Sequence, residues 1–278
     1  MCGLCGCAGV DDHHAHAGQH AHLHEGHHPH AHGERHAHAG NAHDHHDRHG
    51  DEAGERTSRL RMETAVLAKN DRFARDNRAF FRTRTVLALN VMSSPGAGKT
   101  TLLERTIRDL GADLPLAVIE GDQESENDAL RIRAAGCAAI QINTGAGCHL
   151  DAERVGAAAR ALGPAAGGIV FIENVGNLVC PALFDLGERS RVVVLSVTEG
   201  EDKPIKYPHM FREADVMVLS KTDLVPHLDF DLDLCVANAR RVNPKLRVLP
   251  LSVRTGEGLP PLYAWFRDEL SQLAKEAR

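Results

Sequence analysis

The stretch Leu87-Ala88-Leu89-Asn90-Val91-Met92-Ser93-Ser94-Pro95-Gly96-Ala97-Gly98-Lys99-Thr100 decides the fold. An apolar run leads into a Gly-x-Gly-Lys-Thr-Thr core, and a helical pattern over residues 101–110 follows. That order reads as a strand, a phosphate-binding loop and a helix. Gly96 and Gly98 let backbone N–H groups turn inward around phosphate oxygens, with Pro95, Ala97 and Thr101 completing the cradle. Lys99 adds positive charge at the β- and γ-phosphates, and Thr100 offers a hydroxyl to Mg²⁺. The usual loop pattern begins with glycine at position 93, where this chain has Ser93.

Working outward, short apolar runs alternate with helical patterns. Strands are expected at 116–119, 138–142, 168–172, 192–197, 216–219 and 247–251, and helices at 127–135 and 151–162. The expected fold class is α/β: a P-loop nucleotide-binding fold with a mostly parallel sheet covered by helices on both faces. Leu262, Trp265, Phe266 and Leu270 make the core stripe of a closing helix. Ahead of the first strand, Leu60, Ala65, Val66, Leu67, Phe73, Phe80 and Phe81 recur at helical spacing, so residues 57–82 should be helical, with solvated Arg-rich faces.

Strand ends carry the remaining polar signals, where ligands of open α/β sheets bind. Glu173-Asn174-Val175-Gly176 follows one strand, placing a catalytic acid at Glu173 and a γ-phosphate-sensing glycine at Gly176. Asp122, past another strand, is a candidate to hold Mg²⁺, as is Glu173, or to orient the attacking water. Ser220-Lys221-Thr222-Asp223 resembles the guanine-reading Asn-Lys-x-Asp, with serine in the first place. A carboxylate at Asp223 can accept both guanine N1–H and N2–H₂, which specifies GTP, and Ser252 heads a further base-supporting loop. Turnover is expected to be slow, since no arginine finger is evident and such groups are worth about 10³ or more in rate.

Two thiol groupings point to soft metals. Cys2-Gly3-Leu4-Cys5-Gly6-Cys7 packs three thiols into six residues, and with the terminal amine could form a planar site of the kind Ni(II) accepts. A redox Cys-x-x-Cys is the alternative, but no strand can precede residue 2. Cys148-His149 and Cys180 lie in separate loops near strand ends and could converge on an ion, whereas Cys137 and Cys235 read as buried hydrophobes. Sixteen histidines between His13 and His49 are interleaved with small and acidic residues, a composition that cannot form a core and suits a disordered metal-capturing arm. The chain divides into an N-terminal metal-binding segment, 1–56, and a GTPase domain with a helical extension, 57–278.

Composition limits the remainder. The net charge of −6 argues against a broad nucleic-acid surface. No run of about 18 apolar residues could span a bilayer and no signal-type h-region opens the chain, so a cytoplasmic protein is expected.

Taken together, Cys2-x-x-Cys5-Gly6-Cys7, the Ser-Pro-Gly-Ala-Gly-Lys-Thr-Thr loop, Glu120-Gly121-Asp122, Gly147-Cys148-His149-Leu150, Glu173-Asn174-Val175-Gly176-Asn177-Leu178-Val179-Cys180-Pro181 and Glu199-Gly200-Glu201-Asp202-Lys203-Pro204 resemble the HypB family of hydrogenase nickel-incorporation GTPases. The resemblance runs over about residues 57–270 plus the first thiols. It implies GTP, Mg²⁺ and Ni²⁺ as cofactors, with Zn²⁺ as an alternative at the soft sites. It also implies a GTP-dependent homodimer that works with the accessory protein HypA to deliver nickel to the large subunit of [NiFe]-hydrogenase. Cys148, His149 and Cys180 match the family's metal site in the GTPase domain. A urease-type accessory GTPase, a nickel store with a vestigial nucleotide domain, and an ATP-using kinase are the competing readings. The urease type lacks the Asn-Leu-Val-Cys-Pro run, intact Lys99, Thr100, Asp122 and Glu173 argue against a mere store, and Asp223 argues against the kinase.

Overall fold

The computed structural model describes residues 49–122, 127–145 and 147–277, with side chains from residue 61 onward except Glu63. Cys2, Cys5, Cys7 and most of the histidine tract lie outside the described residues. Seven strands, β1 Leu87–Ser93, β2 Leu116–Asp122, β3 Ala138–Asn143, β4 Ile169–Glu173, β5 Ser190–Ser196, β6 Val216–Ser220 and β7 Arg247–Pro250, form one sheet in the order β3-β2-β4-β1-β5-β6-β7. Every pairing is parallel. Such a sheet must be covered on both faces, which explains why β1, β4 and β6 are buried at every position.

On one face, Leu102, Leu103 and Ile107 of α2 (Lys99–Leu110) pack with Leu262, Trp265 and Phe266 of α8 (Leu259–Glu276). The other face is covered by Phe81 of α1 (His49–Thr83) and by Val155, Ala158 and Ala159 of α4 (Ala152–Leu162). Met210 and Phe211 of α6 (Pro208–Arg212) and Cys235 and Ala239 of α7 (Leu232–Val242) close the β5–β7 end. Asp151 and Asp231 start α4 and α7 by accepting the exposed N–H groups of Arg154 and Leu234, at 2.9 Å each. Among the described residues the remaining α-helices are α3 (Asn127–Ala134) and the single turn α5 (Lys203–Lys206).

Two features differ from the sequence expectation. β2 continues through Asp122, beyond the apolar run ending at Ile119, so Glu120 stands inside the sheet. The extension before β1 is one helix, α1, which starts at His49 and runs through position 57. Its polar face is not wholly solvated: Asn70 and Asn77 are buried. Asn77 Nδ2 donates to Ala152 O (2.7 Å) and Leu186 O (3.0 Å), and Asn70 pairs with Ala152 N and Asp185 O. These amides satisfy backbone groups at the start of α4 and in the segment before β5, which pins α1 to the sheet.

Candidate functional site

The loop between β1 and α2 requires its two glycines. Gly96 has φ 75° and Gly98, the N-cap of α2, has φ 100°, both in the left-handed region that strains other residues. No side chain caps α2, so its first N–H groups are directed at whatever the loop encloses. Pro95, Gly96, Gly98, Lys99, Thr100 and Thr101 line a cleft of about 460 Å³, and Asp122, Glu173 and Gly176 line it from the neighbouring strand ends. Lys99 Nζ donates to Ser93 Oγ at 2.7 Å. The serine at the usual glycine position therefore gives the ammonium a resting partner. Burial lowers the Lys99 pKa below its ordinary value, and the charge of Glu173, followed by Glu120, opposes that shift.

Thr100 Oγ1 donates to Glu173 Oε1 (2.7 Å) and approaches Asp128 Oδ2 (3.1 Å). Glu120 and Glu173 are direct lateral partners in the β2–β4 ladder, 3 % and 2 % exposed. Ligand oxygens of Glu120, Asp128 and Glu173 all lie within 4.8 Å of one another. Burial, then the neighbouring Glu173 carboxylate, pushes the Glu120 carboxyl up to about 11, and burial raises Glu173 too. Glu120 Oε2 and Glu173 Oε2 are buried with no hydrogen-bond partner among the described residues. Orphaned carboxylate oxygens beside a hydroxyl form the hard-oxygen donor set that suits Mg²⁺, so these residues fit that ion. Asp122 lines the cleft outside this group of three.

A second cavity, about 250 Å³, adjoins the loop and is lined by Ala97, Gly98, Thr101, Ser220, Lys221 and Asp223 among others. Asp223 Oδ1 accepts from Ser252 Oγ at 2.7 Å, which orients the carboxylate. Ser220 Oγ donates to Ala97 O (2.8 Å) and Lys221 Nζ to Gly96 O (2.7 Å). Ser220 and Lys221 thus tie the segment after β6 to the phosphate loop. From the other side, Ser94 Oγ donates to Glu199 Oε2, while Glu199 Oε1 accepts from Ser196 N at 2.9 Å.

Cys148, His149 and Cys180 come together with ligand atoms within 4.8 Å of one another. The two Sγ atoms are 2.9 Å apart, and His149 Nδ1 is 3.6 Å from Cys148 Sγ. His149 stacks on Phe184, centroids 3.9 Å apart, and burial lowers its pKa, favouring the neutral imidazole that ligates metals. Two sulfurs and one nitrogen suit Ni²⁺ or Zn²⁺. In Cys137 and Cys235, by contrast, burial drives the thiols up to about 11 and about 12, consistent with inert core residues.

Residues 87–250 match the CobW/HypB/UreG nucleotide-binding domain. The chain is 61% identical over 206 residues to the hydrogenase maturation factor HypB of Azotobacter vinelandii, covering 74% of this chain and 68% of that one. It belongs to the HypB family. Solved members superpose well. HypB of Archaeoglobus fulgidus matches with a TM-score of 0.69 at 39% identity, over 73% of this chain and all of that one. HypB of Helicobacter pylori, crystallised in complex with nickel, also gives 0.69, at 36% identity over 73% and 96%. No helix among the described residues is long and apolar enough to cross a membrane.

For this HypB-family chain, sequence reading missed Glu120, Asp128 and Arg131. Arg131 lines the phosphate cleft but is tied to Asp128 Oδ1 and Glu104 Oε2, both at 2.9 Å. The available signal was period two in Glu120-Gly121-Asp122, which turns both acids to one face of an extended strand. Glu120→Gln should stabilise the metal-free protein increasingly as pH rises above the ordinary carboxylate range, because a neutral amide removes the cost of keeping protonated a carboxyl that burial and Glu173 raise. The same change should weaken Mg²⁺-dependent nucleotide binding. Because the raised carboxyls must lose protons to bind a cation, wild-type Mg²⁺ affinity should increase from pH 6 to pH 8. Thermal melts and calorimetry in Mg²⁺ read these effects; a destabilised apo variant, or pH-independent Mg²⁺ binding, would count against raised carboxyls at Glu120 and Glu173.

Proposed function

We propose that this chain is a slow GTPase and nickel metallochaperone that helps insert nickel into the large subunit of [NiFe]-hydrogenase. The observation that carries the reading is the placement of two sites on one loop. Gly176 lies against the phosphate loop, where an added Cβ would come 3.0 Å from Pro95 Cα, and Cys180 is four residues further along. The nickel complex of the Helicobacter pylori relative supports nickel as the cargo. Cys148, His149 and Cys180 supply three donors, one fewer than a closed structural zinc site takes, which suits an ion that is passed on.

Hydrolysis is assigned to Lys99, Asp122 and Glu173. When bound, Mg²⁺ would be held by Thr100 and Glu173, with Asp128, Glu120 or Asp122 as further acids, and would neutralise charge developing on the phosphates. Asp223 reads guanine, supported by Lys221 and Ser252. The partners in this reading are HypA, the hydrogenase large subunit and a second copy of the chain in the GTP state, all in the cytoplasm. Cys2, Cys5 and Cys7 form a separate tight nickel site, and the histidine tract captures further ions weakly.

Metal titration of the full-length chain tests the assignment. Wild type should show one thiolate-to-nickel absorption from Cys148 and Cys180 and another from the N-terminal thiols. Changing Cys2, Cys5 and Cys7 to Ala should remove the tightest phase and leave the weaker histidine sites. An unchanged tight phase would refute the N-terminal assignment. Hydrolysis of ATP as fast as GTP would refute the guanine-specific reading and favour the kinase alternative.

A further inference from the structure

One arginine of α2 sets one peptide of the loop after β7. Within that loop Ser252 N donates to Glu257 O and Gly256 N to Ser252 O, both at 2.9 Å, and the Val253 side chain packs against the core on the α2 and α8 face. These contacts close the turn and seat its floor, but none engages the peptide between Val253 and Arg254. Arg105 does: its Nη1 donates to Val253 O at 3.0 Å. Among the described residues no other hydrogen bond is made by that peptide.

The guanidinium is itself fixed. Its Nε donates to both carboxylate oxygens of Asp109, one turn along α2, at 3.0 and 2.8 Å, and Tyr263 of α8 donates to Asp109 Oδ2 at 2.9 Å. The loop closes over it at Gly256, where φ is 84° and an added Cβ would come 3.2 Å from Arg105 Nη2. Val253 and Arg254 line the cavity that holds Asp223, and Arg105 does not, so the guanidinium stands behind the loop. A trans peptide is planar with its C=O and N–H pointing opposite ways, and every peptide bond described is trans. With Val253 O drawn back toward Arg105, the Arg254 N–H points forward, and it has no partner among the described residues.

We propose that Arg105 is a positioning residue for base selection: by holding the Val253 carbonyl it presents the Arg254 N–H to the carbonyl oxygen of a bound 6-oxopurine. The inference rests on the guanine reading above and adds a second point of discrimination to it. Asp223 accepts the two kinds of N–H that guanine offers and leaves guanine O6 in need of a donor. Adenine carries an amino group at that position, so a fixed N–H meets it donor against donor. Because α2 begins at the phosphate loop, the helix that holds the phosphates also sets where the base loop stands.

The test is competition binding of GTP, 6-thioguanosine triphosphate and xanthosine triphosphate to the full-length chain in Mg²⁺. Sulfur in place of O6 is a weak acceptor, so GTP against the thio analogue reads the donor that Arg105 fixes. Xanthine keeps O6 and changes only the edge read by Asp223, so GTP against xanthosine triphosphate reads that carboxylate. The parent should prefer GTP to the thio analogue by about 3- to 10-fold, the worth of one neutral hydrogen bond. Arg105→Ala, or Arg105→Met with the aliphatic bulk kept, should collapse that ratio to within about two-fold and leave GTP preferred to xanthosine triphosphate. Arg108→Ala removes a charge from the same helix and should keep the parental ratio. Persistence of the ratio in both Arg105 variants, or its collapse in Arg108→Ala, overturns the role of Arg105. A parent that binds the thio analogue as well as GTP, yet prefers GTP to xanthosine triphosphate, overturns it too and leaves the Asp223 reading intact. A parent indifferent among all three overturns both.

Discussion

Lys99→Ala is expected to lower GTP turnover by about 10²- to 10³-fold or more, the cost of removing one charged donor from the place where transition-state charge develops. The ammonium is buried, hydrogen-bonded to Ser93 Oγ at 2.7 Å, and attracted by Glu173 and Glu120. Movement from Ser93 to a phosphate would exchange one oxygen partner for another of greater negative charge. Nickel binding by Cys2, Cys5 and Cys7 should be unaffected, since those thiols are far from the phosphate loop along the chain. Single-turnover GTP hydrolysis and a nickel titration on the same preparation, with a thermal melt to verify folding, measure both. Loss of nickel binding together with hydrolysis would contradict two separable sites.

Asp223→Asn should exchange base preference. The carboxylate is oriented by Ser252 and lines the cavity beside the phosphate loop. As a double acceptor it matches the two N–H donors of guanine; asparagine presents one acceptor and one donor, which matches xanthine, where a carbonyl replaces the amino group. Charged hydrogen bonds are worth about 1.5–3 kcal/mol each, so GTP affinity should fall by about 10²-fold or more while xanthosine triphosphate affinity rises. Competition binding with GTP, xanthosine triphosphate and ATP gives the result. An unchanged order of preference would remove Asp223 from base recognition. It would also shift weight to Ser252 and to Arg254, which lines the same cavity.

Much of the fold was legible because its signals are local. Glycines at 96 and 98 adopt left-handed backbone angles within a single loop, and the short apolar runs alternate with helical periods, so strand, loop and helix could be read in sequence order. The side chains that gather were equally plain in type: two thiols and an imidazole that the fold brings together, and an aspartate two residues after Lys221 that lines the cavity beside the phosphate loop. Strand ends were harder. Glu120 interrupts an apolar run and so resembles a boundary, yet the parallel ladder carries β2 two residues further and places Glu120 beside Glu173. Lateral pairing joins residues remote in sequence, and no periodicity in either segment records it.

By itself, then, the sequence determined the α/β alternation, the phosphate loop and the inventory of ligands, since each depends on backbone preference or side-chain chemistry within a few residues. Tertiary structure alone decided which acids gather at Thr100, that Ser93 and Ser220 hold Lys99 and the loop in place of the usual residues, and that Asn70 and Asn77 bury their amides against α4 and the segment before β5. It also decided that Cys148 and Cys180 meet at 2.9 Å. These outcomes follow from the register of a parallel sheet covered on both faces, in which each buried polar group must find its partner on a neighbouring element because water cannot reach it.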